Sequence, residues 1–308
     1  MGGKMTELEM TSVPNLKKGC LLTLFGGILW GLSGTCGQYL MQNKGLTSDW
    51  LIPIRLLLAG IILLTVCLIK DGKKIFDIFK VPKDGVNVLV FGMLGMSMCQ
   101  YTYFTAISQS NAGTATVLQY IGPVLIVLYV SLRTGKIPEK IEVFAVFLAV
   151  VGTVLLATHG NLRSLAISHQ ALFWGLCSAV ALAVYTVQPV PLLAKYGSMV
   201  VTGWGMLIGG ILLCLFFRPW TMAVKVDGAV IGGLGFIILF GTIIAFVAYL
   251  EGVKWVGPKR GSLFASVEPV SATVFSALLL KVGFGSMDLL GFACIISTIF
   301  LLTMGKKR

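Results

Sequence analysis

One carboxylate sits where charge is expensive. Glu268 lies about seven residues into an apolar run over 261–280, directly before Pro269. An acidic side chain in mid-span costs about 2.5 kcal/mol or more to insert, so it is expected to face a cavity or a partner. Two chemistries fit. The carboxylate contacts a substrate ammonium or a coupling proton, or it caps backbone groups that Pro269 frees. Arg55 is the one basic residue within a span. It lies near the outer end of its run, whereas the run holding Glu268 starts at the inner face. At about 1.5 Å rise per residue a direct pair is not expected. The favoured reading of Arg55 is structural, snorkelling to the outer interface or fixing that end of the bundle.

Other polar and aromatic residues fall on shared helical faces. Trp30, Gly34 and Gln38 align, as do Gln100 and Tyr103. Thr116, Gln119 and Pro123 form a third set with Tyr120 beside them, and Trp174, Ser178, Ala181, Tyr185 and Gln188 a fourth. An apolar cavity with a few polar groups and aromatic walls suits a small amphipathic solute. Taken singly, such residues are interface anchors or interhelical hydrogen-bonding groups. Taken together, some of Trp30, Gln38, Gln100, Tyr103, Gln119, Tyr120, Tyr185, Gln188 and Glu268 are expected to line a binding site. Pro123 and Pro269 each disturb their helix. Matched breaks in two halves of a chain point to a central site, so both are expected hinges, against the plainer reading of packing kinks.

Catalytic and metal constellations are not among the motifs. His159 and His169 have no carboxylate or cysteine cluster near them, and there is no P-loop pattern. The seven cysteines lie in apolar windows with no C-x-x-C pair, the pattern of small packing residues. Neither a cofactor nor a metal is expected.

The elements that must position these residues are membrane spans. Of 308 residues, 56% are hydrophobic and 12% charged, and the mean hydropathy is +0.92. Apolar runs fall at about 19–41, 50–69, 86–107, 114–132, 141–158, 170–188, 198–217, 229–250, 261–280 and 288–304. A run of roughly 20 apolar residues crosses the hydrocarbon core as a helix, because lipid offers the backbone no hydrogen bonds. The first run is too long for a typical signal peptide and is read as a retained span.

The net charge of +12 does not indicate nucleic acid, because the basic residues sit in short loops. Of the 24 Lys and Arg residues, all but Lys44, Arg55, Arg163, Arg218, Lys225 and Lys281 fall on the N-terminal side of the membrane. The positive-inside rule then places both termini in the cytoplasm.

The halves resemble each other weakly. Trp30-Gly31-Leu32 returns as Trp174-Gly175-Leu176, and Gly60-Ile61 as Gly210-Ile211. Tyr103 pairs with Tyr249, and Pro123-Val124 with Pro269-Val270. Each half holds five spans, an odd number, so the second enters the membrane upside down. The expected fold is an all-α membrane protein of ten transmembrane helices in two inverted five-helix repeats, an architecture of secondary transporters. The expected boundaries are a tail over 1–18, a first repeat over 19–158, an external link over 159–169 and a second repeat over 170–304.

The stretch Asn111-Ala-Gly-Thr-Ala-Thr-Val-Leu-Gln-Tyr-Ile-Gly-Pro123 resembles the fourth-helix signature of EamA-type proteins in the drug/metabolite transporter superfamily. Gly257-Pro-Lys-Arg-Gly-Ser-Leu-Phe-Ala-Ser-Val-Glu-Pro269 is similar to the ninth-helix counterpart. Trp30-Gly-Leu-Ser33 resembles the first-helix motif, and Arg55 with Ala59 the second. The resemblance covers nearly the whole chain and implies ten helices, a central cavity and, commonly, export of amino acids or other metabolites. Such proteins often carry a Glu just past helices four and nine, where this chain has residues near Gly135 and Lys281.

The expectation is therefore a secondary transporter, an exporter of small organic metabolites such as amino acids, working by alternating access around a midplane cavity in the inner membrane. Its partners are the solute, the lipid bilayer and a coupling proton, with a homodimer as one option for its assembly. An intramembrane lipid enzyme would need catalytic side chains clustered at one depth. A membrane sensor would carry a soluble output domain. Neither feature is legible.

Overall fold

The computed structural model describes residues 16–110, 112–122, 138–158 and 168–281, with scattered positions between 125 and 135 and between 286 and 301. Residues 1–15, Asn111, Pro123, His159 and most of the expected tenth span lie outside the described residues.

All described elements are helical. Helix α1 is Leu16–Lys44 and α2 is Ser48–Asp71. Thr47 caps α2 by accepting from the Trp50 amide, and Asp49 complements the positive end of its dipole. A short helical crossing (Gly72–Phe76, Asp77–Lys80) leads to α3, Pro82–Val90, which begins on a proline suited to that position. A π-helical segment, Phe91–Ser97, carries α3 into α4, Met98–Gln109. Next come α5, Ala112–Gln119, and α6, Lys140–Thr158.

The second half begins after residue 168. Helix α7 is His169–Val187, α8 is Val190–Tyr196 and α9 is Ser198–Phe217. Helix α10, Gly228–Phe236, passes through a second π-helical segment, Ile237–Ile244, into α11, Ala245–Val256. Then come α12, Pro258–Phe264, and α13, Val267–Leu280. Gly197 (φ 80°) and Gly257 (φ 81°) make the reversals before α9 and α12 in a region of backbone space that disfavours a Cβ. His169, expected at the end of a link, is the first residue of α7.

Among the described residues, six runs are long and apolar enough to cross a membrane: Leu16–Lys44, Ser48–Lys80, His169–Tyr196, Ser198–Phe217, Gly228–Val256 and Pro258–Leu280. The burial pattern inverts that of a water-soluble protein. Ile69 (82% exposed) and Phe216 (78%) face outward, while Arg55, Gln100, Gln119 and Glu268 are inside. Apolar outside and polar inside is what lipid solvation selects.

The packing is reciprocal between the halves. Helix α1 lies against α11 and α13, α7 lies against α4 and α5, and α2 lies against α9. At the α2–α9 crossing, a Cβ added at Gly60 would stand 2.5 Å from the Leu207 amide nitrogen. One added at Gly210 would stand 2.5 Å from the Leu57 nitrogen. Each glycine admits the partner backbone three residues ahead of the other glycine, the close approach that small residues permit within a bilayer.

Candidate functional site

The site is built around a helix break. A proline at position 269 has no N–H for the carbonyl of Ala265, four residues earlier, and its ring crowds that carbonyl. Accordingly α12 stops at Phe264, Ala265 and Ser266 form a turn, and α13 restarts at Val267. The freed Ala265 carbonyl accepts the Glu268 amide at 2.8 Å and the Tyr120 hydroxyl. Tyr120 itself lies in a turn that ends α5, three residues before Pro123. The two interrupted helices therefore meet hydroxyl to carbonyl. The Glu268 side chain is left buried at 5% exposure, with Oε2 3.4 Å from the Tyr120 hydroxyl.

Glu268 opens onto a cavity lined also by Trp30, Ser33, Arg55, Cys99, Gln100, Tyr103, Phe104, Gln119, Leu182, Tyr185 and Phe246. Its volume is about 20 Å³, the scale of a single water. Trp30 packs against Phe246 (ring centroids 4.9 Å apart) and Tyr249 (4.6 Å) to make an aromatic wall. Tyr185 stacks on Phe91, the first residue of the α3–α4 π-helical segment. Such segments leave backbone groups out of register and are frequent at functional sites. Tyr103 shares a 2.9 Å hydrogen bond with Thr116. The Gln119 amide points at the Cys99 sulfur, 3.9 Å away.

Several polar atoms around this cavity are buried without a hydrogen-bond partner: Trp30 Nε1, Ser33 Oγ, Arg55 Nε and Nη1, Gln100 Oε1 and Tyr185 Oη. A native interior pairs nearly all such atoms with protein, water or a bound group, so the cluster makes this cavity the candidate site.

Six of the expected residues, Trp30, Gln100, Tyr103, Gln119, Tyr185 and Glu268, come together as cavity lining, and Tyr120 reaches the site through Glu268 and Ala265. Pro269 is buried beside the break, while Pro123 lies outside the described residues. Gln38 and Gln188 are elsewhere. Gln38 bonds Gln42 at 3.0 Å and accepts the first amide of α5, Ala112, at 3.3 Å. Gln188 ties the end of α7 to the Asn87 carbonyl of α3 at 2.9 Å.

The snorkelling expectation for Arg55 is overturned. Its side chain is 1% exposed, lies 4.6 Å over the Phe104 ring and lines the same cavity as Glu268. Arg55 from α2 and Glu268 from α13 thus meet at one cavity, a tertiary arrangement that spacing along a single helix does not carry. Ser33, Cys99, Phe104, Leu182 and Phe246 were not singled out by their spacing. Only Ser33 carried a signal, as the last residue of the Trp30-Gly-Leu-Ser33 motif.

Three ion pairs join the halves among the described residues, Lys259 with Glu142 at 3.6 Å and two shorter ones away from the cavity. Lys44 at the end of α1 contacts Asp227, the N-cap of α10, at 2.7 Å. Lys195 in α8 contacts Asp84 in α3 at 2.6 Å, and the Tyr196 hydroxyl adds a 2.7 Å bond to the same carboxylate. Helix α2 separates Lys44 from Asp84 along the bundle by about 1.5 Å per residue over its 24 residues, so the pairs close opposite ends. Hydrogen bonds from Lys195 and Tyr196 hold the Asp84 carboxyl below its ordinary range. Those from Lys44 and the Val230 amide do the same for Asp227.

The model of the EamA-like transporter family matches residues 17–158 and again 169–304. The chain belongs to the EamA-like transporter family. Its membership places it in the drug/metabolite transporter superfamily and makes it a multi-pass membrane protein. It is 39% identical over 292 residues to the uncharacterized inner membrane transporter YicL of Salmonella typhimurium, covering 95% of this chain and 97% of that one. It is 27% identical to the uncharacterized transporter YetK of Bacillus subtilis, over 83% of this chain and 78% of that one. It is 26% identical to the uncharacterized inner membrane transporter YedA of Escherichia coli K12, over 93% and 92%. One crystal structure shares the fold of this EamA-like chain, with a TM-score of 0.75 at 19% identity over 94% of this chain and 99% of that one.

Proposed function

We propose that this chain is a secondary transporter that exports small organic metabolites such as amino acids, by alternating access around the cavity at Glu268. The observation that carries the reading is a buried carboxylate at a small internal cavity, beside a broken helix and ringed by unpaired polar atoms. Among the described residues the carboxylate's hydrogen-bond partners are the hydroxyls of Tyr120 and Tyr103, with no basic side chain paired to it. Its counter-charge then comes from outside the chain, as a substrate ammonium or a proton.

The reading takes the halves as inverted five-helix repeats of a ten-helix bundle, with both termini cytoplasmic. Support comes from the reciprocal glycine contacts at Gly60 and Gly210 and from π-helical segments at corresponding places, Phe91–Ser97 and Ile237–Ile244. The Lys44–Asp227 and Asp84–Lys195 pairs act as gates at the two ends. Each pair has one solvent-exposed partner, and water screening keeps the contribution of such pairs modest, so rocking of one half against the other breaks and remakes them at small cost.

Purified protein in proteoliposomes preloaded with an unlabelled solute is expected to accumulate the labelled solute transiently, with saturation. A channel gives equilibration without that overshoot.

A further inference from the structure

We infer that Arg55 is the anchor for a carboxylate on the transported solute, and that the cavity therefore takes small carboxylate-bearing molecules, zwitterions above all. The inference rests on the carrier reading and specifies its substrate class. A guanidinium is permanently charged and burying it unpaired is costly, so buried arginines are ordinarily matched to a carboxylate. Arg55 is 1% exposed, and among the described residues no acidic side chain forms an ion pair with it. Its Nε and Nη1, donors on two different edges of the guanidinium, have no acceptor, so either edge is open to a carboxylate oxygen. Its contact is the face of Phe104, 4.6 Å from the ring centre, which steadies the charge without using those donors.

The unpaired groups nearby fit the same ligand. Trp30 Nε1 is a buried donor on the cavity wall without an acceptor, and a carboxylate has lone pairs enough for both residues. Glu268 faces the same cavity, yet it does not neutralise Arg55. Two opposite charges held apart around one small chamber complement a molecule that carries both signs. An α-amino acid puts its carboxylate on Arg55 and its ammonium on Glu268. A simple amine leaves the guanidinium unpaired, the penalty that gives a polar site its discrimination.

The test is a thermal-shift series on the purified full chain with standard L-amino acids, each beside its decarboxylated amine and its deaminated acid. The expected result is stabilisation by amino acids and weaker stabilisation by the acids, with none by the amines. Arg55→Gln should lower affinity for carboxylate probes by about tenfold or more, while the ligand-free variant melts no lower than wild type, because an unpaired charge has been removed. A purely structural Arg55 would instead lower the melting temperature and leave the ranking of probes intact. If Arg55→Gln does not fold, the wild-type contrast between acid and amine decides, and Arg55→Lys should keep the preference with weaker binding. Equal shifts by amines and amino acids, or no shift with any carboxylate probe, overturn the inference. Counterflow separates it from the carrier reading. Exchange of amines without carboxylate preference keeps the carrier and removes the anchor, whereas carboxylate binding with no exchange keeps the anchor and removes the carrier.

Discussion

The Tyr120 hydroxyl donates to the Ala265 carbonyl, the group that Pro269 deprives of its helical donor. One side chain from the first half thus mends a break in the second and stands beside Glu268. Removing the hydroxyl leaves that carbonyl with the Glu268 amide alone. Tyr120→Phe is expected to lower stability by about 1 kcal/mol and to reduce transport. In a Pro269→Ala background the helix regains its own donor, so the same substitution should cost less. A double-mutant cycle on thermal denaturation of solubilised protein measures the difference.

The α2–α9 crossing makes a sharper packing prediction. Gly60 and Gly210 each face partner backbone at 2.5 Å from a notional Cβ. Backbone cannot swing aside as a flexible side chain can. Gly60→Ala and Gly210→Ala should each destabilise by about 1–3 kcal/mol. Gly232 has nothing within 4 Å of such a Cβ, so Gly232→Ala should be neutral or slightly stabilising. Melting temperatures of the three variants, compared with wild type, check the ordering.

The gate pairs predict a pH dependence with a definite sign. Asp84 and Asp227 both have carboxyls held below their ordinary range by hydrogen bonds from Lys195 with Tyr196 and from Lys44, respectively. A depressed folded-state pKa contributes stability above the unfolded value and loses it as pH falls through the folded one. Wild type should therefore melt above Asp84→Asn at neutral pH, and the gap should shrink on acidification. If Asp84 and Lys195 gate one end, Asp84→Asn should also raise labelling of a cysteine introduced at Ser33 by a thiol reagent applied from that side alone.

Much of this was legible in the residues. Glu268 and Pro269 announced a site because charge and a missing donor are both costly inside lipid. Trp30, Gln100, Tyr103, Gln119 and Tyr185 announced cavity lining through polar or aromatic character at helical spacing. Gln38 and Gln188 carry the same signal but spend it on neighbouring helix ends, since spacing gives a face and not a depth. Arg55 makes no ion pair with Glu268 among the described residues, as their places along the helices imply. Its burial at the cavity, in place of snorkelling, depends on tertiary packing that spacing along one helix does not carry. Cys99 and Phe246 are ordinary apolar residues whose position at the cavity depends on tertiary packing alone.

The central claim is that Glu268 supplies the charge around which the two halves exchange a solute. Its most direct test is counterflow of a labelled amino-acid panel in proteoliposomes holding wild type or Glu268→Gln, with equal insertion of both checked by protease protection. The account predicts a saturable overshoot with wild type that is lost, or at least about tenfold slower, in the variant. A variant that exchanges the same solute at the wild-type rate would contradict it, and would leave Glu268 as a cap on the break at Ala265.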